Sequence, residues 1–576
     1  MIRLILSLVY NTLYLLLLPL VLLRRARAAP RGAWVFLRID GPVVELGRKR
    51  RPWDRRPPPL SLYALGRALE EAAGDPRVSG LVVSIESLQA GAATSESLRE
   101  VLQGFKASGK PLAVYLPRGG AAKEFYVASV ADRLFLGTEA IAEPSGYAVT
   151  TPYVAGLLDE VGVEREVLAR GRFKTMAEPA VREHMSDAQR EQVGAYLDAL
   201  HANLVEALSQ GRGLEEAAVR ALIDEGMFTA EEACARGLCD AVLHPDEVPT
   251  TLDPNREDGA VMVDVLRYAS RRRVAFRPWV RRRLLAVLPL QGAIVEKSPT
   301  PMFPAAEERQ VVELCRDLWS DDRVCGVVLA VNTGGGGALA SERIRRALER
   351  LGKKKPLVAY LANIAASGGY LAAMAAPTLV ARKTTLTGSI GVIAARLTTR
   401  PLMRKAKVSI EVEKRGARAD MHSGARTLDE GERARMDAYV DASYEAFLKA
   451  VAQGRKLEVE QVRTLAEGRV WSGTDAHARG LVDEIGGLSR ALAILRERVG
   501  TAAGRAVPRV FAPKHGEPGM LSLVSRLAGT RDAGDARRWL AQLFTRAPWL
   551  TLSWSAERAL ATTTWAPADA HAAIDA

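Results

Sequence analysis

The chain has 576 residues, of which 48% are hydrophobic and 26% charged, with a formal net charge of +13. That length suits roughly three or four domains of ordinary folded composition. Its four cysteines, Cys234, Cys239, Cys315 and Cys325, exclude a disulfide framework and show no paired metal-ligand spacing, while the positive charge favours an acidic neighbour, either nucleic acid or anionic lipid.

The first predicted element runs from Leu4 to Leu23 and carries no charged residue over 20 positions, enough to cross a bilayer as a helix. Arg24, Arg25 and Arg27 follow it directly. The "ARAA" there resembles a signal cleavage site. A cleaved signal, however, carries its charge before a shorter apolar core, and only Arg3 precedes this one. A retained anchor over 1–30 is the better reading, and it selects membrane lipid over nucleic acid. By the positive-inside rule the three arginines would keep the body in the cytoplasm.

Beyond the anchor the chain repeats itself. "DPRVSGLVVSIES" (Asp75 to Ser87) is matched by "DDRVCGVVLAVNT" (Asp321 to Thr333), "TSES" at Thr94 by "ASER" at Ala340, "KPLAVYL" at Lys110 by "KPLVAYL" at Lys355, and "ARGLCD" at Ala235 by "ARGLVD" at Ala478. The matches stay 243 to 246 positions apart, which identifies a tandem duplication of a domain of about 200 residues. Buried-strand runs such as "LVVSI" and "VVLAV" alternate with amphipathic segments, the signature of an α/β fold. A long helix in each copy opens on a capping pattern, Ser186 with Gln189 and Asp429 with Glu432. The copies occupy 31–255 and 286–500. Between them lies a basic connector, 256–285, whose Arg271 to Arg283 stretch holds seven arginines around Phe276 and Trp279 and suits either solvent or lipid headgroups. The tail, 501–576, has no assigned role.

The copies differ where chemistry would sit. In "ANIAASGGYLAAMAA" Ser367 joins a strand-like run to a helix of small residues; by itself this is a serine in a tight turn. Its counterpart is Ala122. Lys174, in "LARGRFKTM", has Ala419 as its counterpart. Each copy keeps one polar group that the other lost, and serine with lysine is a nucleophile–base pair. The amine must be neutral to accept a proton, which burial achieves, and Lys174 lies among apolar residues. Gly368 at a helix start and the glycine run of "VNTGGGG" (Val331 to Gly337) supply backbone N–H groups for an oxyanion. A phosphate loop is disfavoured because no "GK[ST]" follows, and a Ser–His–Asp hydrolase because no G-x-S-x-G elbow occurs. No metal cluster is visible, and lysine-assisted hydrolysis needs no cofactor. Lys383, 16 residues after Ser367, is a second candidate base.

"VNTGGG", "ASGGYLAA", "LTGSIGV" and "GRFKTMAEP" together resemble the signal peptide peptidase A (protease IV) family in its long, duplicated form, over about Ala33 to Arg498. The resemblance implies a tandem ClpP/crotonase-like α/β fold behind a transmembrane helix. It implies a membrane-bound serine endopeptidase that degrades cleaved signal peptides and other apolar peptides. By position Ser367 matches the nucleophile, Lys174 the general base, Ser389 a serine that orients the lysine, and Gly368 and Gly335 the oxyanion donors. A homotetramer in the inner membrane with a periplasmic body is implied, against the arginine pattern. The family's usual Asn-Ser-Pro-Gly-Gly-Ser is here Asn332 to Gly337 without proline, a more flexible loop. An acyl-CoA enzyme of the crotonase class and a non-catalytic membrane scaffold are the competing functions.

Overall fold

In the computed structural model the described residues are 2–47, 59–272, 282–298, 305–502, 504 and 506–511. Each copy folds around its own parallel sheet. In the first the strand order is Ala241–Val242, Arg133–Leu136, Leu112–Leu116, Val78–Gln89, Ala33–Val44, Met262–Asp264. In the second it is Val470–Ser472, Leu386–Gly388, Leu357–Ala366, Val324–Thr333, Leu284–Gln291, Val507–Val510, with Leu379–Ala381 also beside Leu357–Ala366. Only Val470–Ser472 runs antiparallel within that sheet. The central strands are continuous apolar runs because helices cover both faces. Leu81 and Val82 in one copy and Val327 and Val328 in the other, neighbours that point to opposite faces, are all buried. Both long helices begin where expected. Ser186 Oγ accepts the Gln189 N–H, and Asp429 with Glu432 forms a full capping box.

The structure moves two boundaries. Strand Met262–Asp264 pairs with Ala33–Val44, and Tyr268 of helix Val265–Arg272 is fully buried, its hydroxyl donating to Asp75 Oδ2 at 2.9 Å. The first domain therefore runs past 255 to Arg272. The second runs past 500, since Val507–Val510 pairs with Leu284–Gln291. The rest of the arginine-rich connector, 273–281, and the tail from 512 lie outside the described residues.

The apolar N-terminus forms two helices, Ile2–Leu16 and Leu18–Ala26, instead of one. Pro19 lacks the N–H that would reach back four residues, so the ladder breaks there. Among the described residues no helix is long and apolar enough to cross a membrane. Leu13, Leu16 and Leu20 are nonetheless 55%, 73% and 62% exposed, whereas Ala28 and Ala29 of "ARAA" are buried in the first domain's core. The cysteines are more informative than their spacing suggests: Cys234 and Cys239 form a disulfide, while Cys315 and Cys325 are free.

The domains are joined by more than the chain. Strand Glu164–Arg170 of the first pairs antiparallel with Val392–Thr398 of the second, from Arg170 opposite Val392 to Glu164 opposite Thr398. Ion pairs Arg170–Asp437 and Arg396–Glu166 flank this seam, and Lys383–Glu206 bridges the two domains elsewhere.

Candidate active site

Ser367 ends the strand Leu357–Ala366 and caps the short helix Gly368–Ala373. Its φ of 53° and ψ of −120° are unfavourable for a residue with a Cβ, costing on the order of 1–3 kcal/mol. Neighbouring bonds hold the turn: the Ser367 N–H donates to Gly388 O at 2.8 Å, and the Leu371 N–H donates to Ser367 O at 2.9 Å. Ser389 follows Gly388, also has a positive φ (51°), and donates its N–H to Arg469 O at 2.7 Å.

Lys174 arrives from the other copy. The antiparallel seam ends at Arg170 opposite Val392, so the chain four residues beyond Arg170 lies beside Ser389, three residues before Val392. The Phe173 N–H donates to Glu467 O at 2.7 Å, and the Gln192 side-chain amide donates to Phe173 O at 3.1 Å. The Arg469 guanidinium stacks 4.6 Å from the centre of the Phe173 ring. Packing is so tight that a Cβ on Gly468 would stand 2.6 Å from Lys174 Cβ.

The Lys174 Nζ lies 3.0 Å from Ser367 Oγ, 2.9 Å from Ser389 O and 3.0 Å from Ser389 Oγ, all within one chain. Lys174 is 7% exposed, and burial lowers its pKa from 10.5 to about 7. A neutral amine has two N–H bonds and one lone pair. With both N–H groups donated to the two Ser389 oxygens, the lone pair faces the Ser367 hydroxyl.

The glycine run packs against Ser367. Gly335 has φ 105°, and a Cβ there would come within 2.6 Å of Gly368 N. The Gly335 N–H, expected to hold an oxyanion, is donated to Thr333 Oγ1 at 3.0 Å. Among the described residues Gly336 N–H and Gly368 N–H show no acceptor, and a Cβ built on Gly368 would lie 3.4 Å from Gly336 N.

Other expected residues lie elsewhere. Lys383 pairs with Glu206 at 2.8 Å, and its side chain is 44% exposed. Ala419 lies on an exposed turn. Ala122 opens the helix Ala122–Ala128, so by cap position the counterpart of Ser367 is Ala121, again without a hydroxyl. A cavity of about 1630 Å³ surrounds that counterpart, lined by Gly119, Gly120 and Ala121 and by Asn363 across the domain boundary; it does not include Ser367 or Lys174. Gln192, Glu467 and Arg469, which hold the lysine's turn, carry no signal in one sequence, because two of them act through backbone or ring contacts.

The family model for peptidase family S49 matches residues 104–257 and 349–502, together just over half of the chain. The chain is 31% identical over 459 residues to a protein described as serine protease SPPA, chloroplastic, of Arabidopsis thaliana, covering 78% of this chain and 68% of that one. It is 26% identical over 497 residues to Protease 4 of Haemophilus influenzae, covering 81% and 79%. A solved ClpP1 mutant from Listeria monocytogenes overlays 36% of this chain and 94% of its own at 14% identity and a TM-score of 0.24, which supports no statement about fold or assembly.

Proposed function

The chain belongs to peptidase family S49 and is a serine peptidase; from that premise we propose that Ser367 is its nucleophile and Lys174 its general base. The observation that carries the proposal is the 3.0 Å approach of a buried Lys174 Nζ to Ser367 Oγ across the domain seam. Neutral Lys174 takes the Ser367 proton as the oxygen attacks a peptide carbonyl. The C–N bond breaks as the resulting ammonium returns that proton to the departing amine. Water, activated by the same amine, then hydrolyses the ester and regenerates Ser367. Ser389 fixes the amine through two hydrogen bonds. Gly368 N–H and Gly336 N–H, both without an acceptor among the described residues, are assigned to the oxyanion; Gly335, whose own N–H is engaged, shapes the loop.

The substrates we assign are cleaved signal peptides and other apolar peptides, met at a membrane by two ClpP/crotonase-like domains. The exposed leucines of Ile2–Leu16 and Leu18–Ala26 support membrane attachment, because a contiguous apolar surface on a folded body is covered in use. The Cys234–Cys239 disulfide supports a body in an oxidising compartment, outside the cytoplasm, against the arginine pattern. Self-association of copies belongs to the same reading. Hydrolysis of a leucine-rich peptide by purified full-length protein tests it. Ser367→Ala and Lys174→Ala should each abolish turnover while Lys383→Ala retains it; full activity of Lys174→Ala would sink the dyad.

A further inference from the structure

A second cavity, of about 1450 Å³, lies between the two domains and does not include Ser367 or Lys174. It is larger than the ~300–1,000 Å³ typical of small-molecule pockets. Helices Leu62–Ala73 and Ala92–Lys106 wall it on one side, helix Leu488–Val499 and strand Val507–Val510 on the other, and Arg282 and Arg283 enter it from the basic connector. Its floor is apolar: Leu69, Phe105, Leu488 and Leu492 are buried, and Val101 is half-buried.

Its rim is basic. Arg67, Arg282 and Arg496 come from three separate segments, are exposed, and make no ion pair or side-chain hydrogen bond among the described residues; Arg283 adds a fourth guanidinium. The carboxylates facing the cavity do not balance this set. Glu100 is paired with Arg382 and accepts the Ser489 hydroxyl, and Glu45 accepts the Tyr360 hydroxyl at 2.8 Å while burial pushes its pKa up. That leaves Glu70. Guanidinium groups over an apolar wall are complementary to an amphiphile with an anionic head, because the planar fork meets phosphate oxygens two at a time and the wall takes methylenes out of water. Nucleic acid would satisfy the arginines and leave the apolar wall wet.

The place of the cavity selects the source of the amphiphile. Helix Leu62–Ala73 packs on helix Val265–Arg272, where the Tyr268 hydroxyl lies 3.3 Å from Glu71 O. The same helix holds the end of the apolar N-terminus, since the Arg271 guanidinium donates to Arg27 O at 3.3 Å. Leu20, Leu22 and Leu23 of that N-terminus are 62%, 49% and 46% exposed. One helix thus separates the cavity wall from the leucines assigned to the membrane. We infer that the cavity between the domains binds an anionic phospholipid, its phosphate among Arg67, Arg282 and Arg496 and its acyl chain against Val101, Leu488 and Leu492. The bound lipid bridges the two domains at the membrane surface. This rests on the membrane attachment proposed above and is independent of the chemistry at Ser367.

The test is native mass spectrometry of the full-length protein in neutral detergent. The probes are dihexanoyl phosphatidylglycerol, dihexanoyl phosphatidylcholine and inorganic phosphate. Phosphatidylglycerol should be retained, and the other two should bind at least about tenfold more weakly. Arg67→Gln with Arg496→Gln should weaken phosphatidylglycerol binding at least about tenfold. Arg316→Gln with Arg346→Gln, the same charge change at exposed sites outside the cavity, should leave it unaltered. Val101→Trp, which fills the apolar wall, should weaken the lipid and not inorganic phosphate. Both cavity variants should hydrolyse a soluble leucine-rich peptide as wild type does. Equal binding of inorganic phosphate would reduce the site to one for free anions and overturn the inference. So would equal losses from the two pairs of arginine substitutions, or tighter binding of a single-stranded oligonucleotide than of the lipid. Attachment is read separately, by flotation with phosphatidylcholine vesicles: failure to float with lipid binding intact would count against the membrane reading alone.

Discussion

Acidification should remove activity along one limb set by Lys174. Burial moves its pKa from 10.5 to about 7, so at pH 7 about half of the sites hold a neutral amine, against about one in three thousand without the shift. Below pH 7, kcat/KM should fall about tenfold per unit. The shift also bears on stability. Unfolded Lys174 keeps its proton up to about pH 10.5 and the folded residue only to about 7, so between those values the unfolded state binds more protons and stability rises with pH. Below pH 7 the full cost of the buried amine is present, about 5 kcal/mol for some 3.5 pK units. Lys174→Met removes that cost and also two hydrogen bonds to Ser389, worth about 1 kcal/mol each. The variant, though inactive, should therefore be about 2–4 kcal/mol more stable than wild type at pH 6. The gain should disappear as the pH approaches 10, where the lost hydrogen bonds leave it slightly weaker. Unfolding curves at pH 6, 8 and 9.5, beside a kcat/KM profile from pH 5 to 9, measure both. A stability difference independent of pH, together with a flat activity profile, would refute a buried neutral amine.

Three further outcomes follow from contacts around the site. Ser389→Ala keeps the carbonyl but loses the hydroxyl that takes one N–H of Lys174, so steady-state kinetics should show kcat down about tenfold or more with KM little changed. The carboxylate of Glu96 accepts the N–H groups of Lys383 and Thr384, on the turn that leads into Leu386–Gly388, from the opposite domain. Glu96→Ala should cost about 1–3 kcal/mol in unfolding experiments and lower kcat, with Glu96→Gln recovering part of both. Counting thiols after unfolding without reductant should give two, Cys315 and Cys325, rising to four after reduction.

The duplication and the α/β class were legible because parallel strands buried on both faces must be continuous apolar runs, and two such runs in register are hard to miss. Ser367 and Lys174 were legible from what each copy had replaced with alanine. The partnership of Gln192, Glu467 and Arg469 with the lysine's turn was not, since it depends on the seam between Glu164–Arg170 and Val392–Thr398, which joins segments more than 200 residues apart. The engagement of Gly335 with Thr333 was hidden for a related reason: within a run of four glycines, sequence cannot say which N–H is already taken. The break at Pro19 was visible as a residue, but hydropathy alone reads through it. The edges of both domains were misread because Met262–Asp264 and Val507–Val510 are short edge strands whose residues carry little pattern.

The most direct measurement is labelling by a fluorophosphonate, a reagent that phosphonylates only an activated serine, with the modified residue located by peptide mass. An adduct on Ser367 in wild type, lost in Lys174→Ala and retained in Lys383→Ala, is the predicted result. An adduct on a different serine, or undiminished labelling of Ser367 without Lys174, would contradict it.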